Sequence, residues 1–182
     1  MRVRLACLVL GALLVPILAQ ADGHSADFAA AYSASSGGST LHGIQTTFAK
    51  SLGPLGPCAL GATLVDVGFQ IGEHEGRDLT HVFYMAGPRV TCKNSDEGRH
   101  LVHAQFLAGG AHSNDGRAGP NDGALSLGVA YEFAAGGPSG RTRHKGLGGR
   151  AQVERIWRKG DGREAVTRFS VAAVYRFPET TP

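Results

Sequence analysis

The chain has 182 residues, with 18 Lys and Arg against 15 Asp and Glu and a formal charge of +3 at neutral pH. Arg2 and Arg4 belong to a leader-like start, and without them the charge falls to +1, which excludes basicity as an argument for a nucleic-acid partner. Roughly 160 residues then remain, enough for one domain, and no later run of apolar residues is long enough for a membrane-spanning helix.

Met1 to Ala21 reads as a secretory signal peptide. It has two arginines at the start, an apolar run from Leu5 to Leu18, and small residues around a cleavage site at Ala19-Gln20-Ala21. That run, about 14 residues, is short for a retained anchor. Cys7 leaves with it. The expected organisation is a signal over residues 1–21, one domain over 22–177 and a short tail over 178–182. Glycine is abundant, 27 residues, and falls mostly between short alternating runs, as in an all-β chain with many turns.

In chain order, strands are predicted near Ala26–Ala34, Thr40–Lys50, Ala59–Ile71, Leu79–Thr91, His100–His112, Gly123–Phe133, Gly146–Arg158 and Ala165–Phe177. The segments between them, such as SSGGS, CKNSDEGR and KGDGRE, are rich in turn formers. Eight strands of roughly this length would close an antiparallel up-and-down barrel and, tilted, would cross the apolar band of a membrane.

Successive side chains on a strand point to opposite faces, so each strand can be divided in two. In the third, Val65, Val67, Phe69 and Ile71 oppose Asp66, Gly68 and Gln70. In the fourth, Val82, Tyr84, Ala86 and Val90 oppose His81 and Arg89, with Phe83 and Met85 on the polar side. The fifth sets Val102, Ala104, Phe106 and Ala108 against His103 and Gln105, and the sixth sets Leu125, Leu127, Val129, Tyr131 and Phe133 against Ser126 and Glu132. The seventh opposes Leu147, Ala151, Val153 and Trp157 to Arg150, Gln152 and Glu154, with Arg155 an exception on the apolar side. The eighth opposes Phe169, Val171, Ala173, Tyr175 and Phe177 to Arg168, Ser170 and Arg176.

Two architectures could use these faces. A soluble periplasmic calycin-like barrel would turn the apolar face inward around an apolar ligand and expose a face rich in Lys, Glu and Thr. Here the second face is largely Gly, Ala, Ser and Gln with isolated charges of both signs, which suits the narrow lumen of an eight-stranded membrane barrel. The expected lumenal network is Asp66, Arg89, His103, Gln105, Glu132, Arg150, Gln152, Glu154, Arg168 and Arg176, whose three acids and four arginines would pair, since lone charges there are costly. With a periplasmic amino terminus, Phe48, Tyr131, Phe133, Tyr175 and Phe177 gather at one rim as an interfacial girdle, with Phe28 beside them and Trp157 and Phe69 near the other rim.

MAGPRV (Met85–Val90), FLAGGAH (Phe106–His112), the QVE step at Gln152–Glu154 and the closing VYRF (Val174–Phe177) carry a family likeness. HGIQ (His42–Gln45) and LVDVGFQIGEH (Leu64–His74) fit it loosely. The chain resembles the small outer-membrane β-barrels of the OmpA-like/OmpX-like porin superfamily over most of Asp22 to Phe177. The resemblance implies a transmembrane barrel in the cell outer membrane, partnered by membrane lipid and the barrel-assembly machinery. It supplies no substrate, cofactor or catalytic residue. Two departures stand out. PETTP follows the terminal aromatic that the assembly machinery reads, and Gly149 replaces the usual Arg three residues before the Gln of strand seven, where Arg150 is the substitute.

Cys58 and Cys92 fall at the same end of neighbouring strands, and an oxidising compartment permits a disulfide. Their face parities disagree, so a cross-strand bridge requires a bulge. Of the histidines, His100 and His103 face opposite ways and cannot share an ion, and the GEHE segment at 72–75 lacks a second helical His. A lipid-modifying enzyme would draw on His112, Ser113 and Asp115, or on His81 beside Asp78, but nothing sets a nucleophile beside a base and an acid. The basic run Arg141–Lys145 lies in a turn without interleaved aromatics. The expectation is therefore a monomeric, non-enzymatic outer-membrane barrel with a filled polar lumen, no metal or cofactor, and at most minor conductance. The soluble barrel and the lipid-modifying enzyme stand as alternatives.

Overall fold

A computed structural model of the chain describes residues 26–36, 40–74, 76–93, 100–114, 121–134, 146–159 and 165–177. They form eight strands: β1 (Ala26–Ser36), β2 (Thr40–Leu55), β3 (Cys58–His74), β4 (Arg77–Lys93), β5 (His100–Asn114), β6 (Asn121–Ala134), β7 (Gly146–Lys159) and β8 (Val166–Arg176). Each pairs antiparallel with the next, and β1 pairs with β8, so the sheet is a closed up-and-down barrel. Closure removes the unpaired edges that an open sheet would expose. Phe177 donates its amide to the Ala26 carbonyl at 2.9 Å, marking the end of the barrel where β1 begins and β8 finishes, called the terminal end below.

All eight predicted strands are present, several of them longer. The largest difference is in β2, where Ser51–Leu55 reads as a turn in sequence yet pairs with Cys58–Gly61. Leu52 is the extra residue of a bulge there, which lets Gly53 and Pro54 sit in the ladder where a regular strand would reject proline. The hairpin then turns through two residues, Gly56 and Pro57, and Gly56 takes the left-handed conformation (φ 58°) that a side chain would resist.

Stepping across the ladder from Val166 through Ile156, Ser126, Leu107, Gly87, Thr63, Ala49 and Asp27 returns to β8 at Arg176, ten residues along. This stagger requires the strands to lean steeply against the barrel axis. Inward side chains from one end of a strand therefore meet those from the middle of a strand opposite.

The apolar faces point outward. Tyr32, Ile44, Leu127, Val129, Phe169 and Val171 are all more than half exposed, Val171 at 69 %. The polar faces point inward, with Asp66, Glu132 and Arg168 at 0 %. This is the reverse of a calycin-like barrel, which hides its apolar face. One close approach fits the outer wall together. Tyr84 lies across Gly110, its cross-strand partner, and a Cβ at Gly110 would come within 2.3 Å of the tyrosine ring.

A bulge in β3 alters the sequence-derived faces. Leu64 has no partner on β2, and Leu64 and Val65 are both exposed, so the alternation skips one position. From Asp66 upward the inward residues are even-numbered, whereas below the bulge they are odd, with Thr63 and Gly61 buried.

Candidate functional site

The inner face of the barrel is ionic at its centre, and at the terminal end a cavity of about 510 Å³ opens beside Asp27, Ser51, Gly61, Arg89, His103 and Arg176. At the centre Arg168 of β8 donates from Nε to Glu154 at 2.7 Å and from Nη2 to Asp66 at 2.9 Å, while its guanidinium carbon lies 5.7 Å from the centre of the Phe83 ring. The two carboxylates have further donors. Asp66 accepts from Gln45 at 2.6 Å and Thr47 at 3.0 Å, and Glu154 accepts from Gln105 at 2.8 Å and Ser126 at 3.3 Å. Thr63 and Ser170 donate to the carbonyl oxygens of Gln105 and Gln45. Two glycines provide the space: a Cβ on Gly68 would lie 2.6 Å from an Arg168 nitrogen, and one on Gly128 would lie 2.6 Å from Glu154.

A second lattice sits toward the terminal end. Asp27 of β1 lies between Arg89 of β4 at 2.8 Å and Arg150 of β7 at 2.7 Å. Glu132 of β6 accepts from Arg150 at 2.8 Å and from Arg176. His103 joins the two groups. Arg89 donates to its Nδ1 at 3.2 Å, so its Nε2 carries the hydrogen that Glu132 accepts at 2.8 Å. Toward the far end the filling turns apolar, with Phe83, Met85, Leu107, Ala111, Ala124 and Ile156 packed together. Beside them Gln70 joins Ser33 and Ser35, and Arg158 meets Asp122 at 2.9 Å. Among the described residues, five arginines and five acids pair inside the barrel. Each carboxylate thus has a cation, the condition under which buried charge is tolerable.

Of the residues read from sequence as lumenal, nine meet in these two lattices: Asp66, Arg89, His103, Gln105, Glu132, Arg150, Glu154, Arg168 and Arg176. Gln152 does not. Its side chain is half-buried, and its amide nitrogen has no partner among the described residues. Sequence reasoning missed Asp27, the acid that links two arginines. Its alternation with Ala29, Ser33 and Ser35 on the small-residue face of β1 was the available signal.

At the terminal rim Tyr131, Phe133 and Tyr175 are each close to half exposed, and His100 stacks on Tyr131 and leans on Phe133. Phe48 differs from its expected place among them. It is 2 % exposed, because it packs with Ala26 and Phe177 into a small cluster beside the β1–β8 closure. Tyr175 and Phe177 meet edge to face at 5.0 Å between ring centres. Cys58 and Cys92 are directly opposed across β3 and β4, with Cα atoms 4.1 Å apart, and form a disulfide. The parity conflict is resolved by the Leu64 bulge, which turns Cys58 to the outer face alongside Cys92.

The candidate enzyme residues are not brought together. His112 and Ser113 are neighbours on β5 and so point to opposite sides of the wall; Ser113 is buried and His112 half-buried. Asp115 lies outside the described residues. Asp78 is exposed while His81 is buried on the inner face of β4. The GEHE glutamate at position 75, the basic run at 141–145, the signal peptide and the tail at 178–182 also lie outside the described residues.

No family model matches the chain, and no curated protein matches it. Solved structures do. Neisserial surface protein A aligns over 87 % of this chain and 98 % of its own, with 13 % identity and a TM-score of 0.57. The Yersinia pestis outer membrane protein Ail in a phospholipid nanodisc aligns over 85 % and 99 %, with 13 % identity and a TM-score of 0.50. Ail in complex with the heparin analogue sucrose octasulfate aligns over 85 % and 97 %, with 14 % identity and a TM-score of 0.50. At these identities the likeness is one of fold, and the chain shares the eight-stranded closed barrel of these proteins.

Proposed function

We propose that this chain is a bacterial outer-membrane β-barrel that spans the bilayer as a monomer and serves a structural or surface-interaction role, with a lumen too densely ion-paired to conduct more than traces. The carrying observation is the division of faces on a closed barrel. Apolar side chains cover the outer wall while every described inward acid meets an arginine. In water that outer wall would be a large continuous apolar surface, which soluble monomers avoid; in a bilayer it is the surface that faces lipid. The fold likeness to outer-membrane barrels supports the same location. In this reading residues 1–21 direct export, and the assembly machinery inserts the barrel by its closing strand, with Phe177 near the recognition end.

Expression of the full chain in a Gram-negative host tests the reading. Recovery in the outer-membrane fraction, with gel mobility that changes on heating, supports it; a detergent-free soluble monomer refutes it. Planar-bilayer recording then separates a filled barrel from an open pore, since steady open-channel currents would contradict the closed lumen.

A further inference from the structure

On the outer wall, a charge interrupts the apolar belt on β7. Arg155 on β7 points outward and is exposed, and its Nη1 donates to the hydroxyl of Thr167 on β8 at 2.6 Å. Thr167 pairs in turn with Ser36 of β1, which pairs with Thr40 of β2, and both are exposed on the same side. Beside them His42 stacks on Tyr32 and its Nδ1 lies 2.7 Å from the tyrosine hydroxyl. A polar strip thus crosses four strands near the far end.

Directly below this strip lies an apolar groove of about 570 Å³, crossing β1, β8, β7, β6 and β5 on the outer wall. Phe169 and Ala34, two residues from Thr167 and Ser36 on their strands, form its upper end. Ala151 makes the floor between Tyr131 and Val171, which flank it across the ladder. A cation at the head of an apolar trough has the layout that an amphiphile with an anionic head requires. An arginine facing hydrocarbon is costly at the bilayer centre and much less so near an interface, where phosphate oxygens are available.

We infer that the outer wall holds one lipid with a phosphate-bearing headgroup, its phosphate on Arg155 and Thr167 and an acyl chain in the groove over Ala151. Arg155 donates a charge-assisted hydrogen bond to a phosphate oxygen, and the hydroxyls of Ser36 and Thr40 extend the polar strip toward the rest of the headgroup. The inference rests on the membrane reading above.

Trp157, the only tryptophan of the chain, lies beyond Arg155 on the side away from the groove, so the reporter protein carries Trp157→Phe with Tyr131→Trp, which puts the single tryptophan in the groove lining. The barrel is inserted into phosphatidylcholine vesicles and the heat-dependent gel shift is checked. Chain-brominated phosphatidic acid is then titrated in, with brominated phosphatidylcholine as reference. The expected result is quenching of that tryptophan by phosphatidic acid about five-fold more effective than its mole fraction predicts. Arg155→Ala removes that preference. Ala151→Phe fills the groove and lowers the preference with the arginine intact. A large excess of inorganic phosphate leaves it unchanged, because the chain is part of the ligand; competition by free phosphate would overturn the lipid assignment. Quenching that follows mole fraction, or a preference that survives Arg155→Ala, overturns the site while the inserted barrel stands. Failure to insert removes the membrane reading and the site together.

Discussion

Replacing Arg168 with methionine isolates the contribution of the central ion pairs. Methionine keeps an apolar stem near Phe83 but leaves Asp66 and Glu154, 0 % and 1 % exposed, without their shared cation. Breaking a buried pair by removing one partner costs about 3–5 kcal/mol, since the remaining charges stay desolvated. The polar donors to both carboxylates remain, which places the expected loss toward the lower end of that range. With a denaturant slope of about 1–3 kcal/mol per molar urea, the midpoint of unfolding from lipid vesicles should fall by roughly 2 M. The triple variant Arg168→Met, Asp66→Asn, Glu154→Gln removes all three charges together and should return to within about 1 kcal/mol of the original, as neutral replacements of buried ionic groups often do. Folded fraction is read from the gel shift across a urea series. A single variant that costs less than about 1 kcal/mol, or a triple variant as unstable as the single, would refute the account of the lumen as a charge-balanced core.

Arginine placed at Val129, on the outer belt, should cost about 2–4 kcal/mol in vesicle stability, whereas arginine at Leu147, the second residue of β7 at the terminal rim, should cost no more than about 1 kcal/mol. Equal costs at both sites would mean that the belt does not face lipid. Cys58→Ser with Cys92→Ser opens a loop of 34 residues' separation, for which chain entropy gives a loss of about 4 kcal/mol at most. Mass spectrometry under non-reducing conditions checks the bridge, and the urea midpoint checks its effect. Gly43→Ala would place a Cβ 1.8 Å from the Phe69 carbonyl oxygen and should destabilise by at least about 1–3 kcal/mol. Gly149→Ala, with open space around it, should be neutral or slightly stabilising.

Strand number and facing were legible because both depend on local alternation. β6 and β8 alternate without interruption, and their outward residues could be identified from the sequence. Three features were not legible, for different reasons. The bulge at Leu64 inserts one residue into a run, Thr63-Leu64-Val65, in which either neighbour could be the outward one, so periodicity alone could not locate the skip. It was signalled only by the mismatch between Cys58 and Cys92. Asp27 was overlooked because β1 is mostly alanine and serine, and a strand without a strong apolar face gives little reason to ask where its single acid points. Phe48 has the outward parity expected of it, but what covers it is Phe177 from the other end of the domain, a contact that no local pattern encodes.

The pairing of β1 with β8 also determines when the structure can become stable. Arg150 and Asp27, 123 positions apart, and Arg168 and Asp66, 102 apart, meet only after the sheet has curled fully round. Until then the ribbon has two raw edges, and although neighbouring strands already pair Arg150 with Glu132 and Arg168 with Glu154, Asp27 and Asp66 wait for arginines from distant strands. Contacts this distant in sequence make for slow folding, and an unpaired edge invites a foreign strand in the meantime. β8 therefore acts as the latch: both edges disappear together when it pairs with β1 and Phe177 meets Ala26.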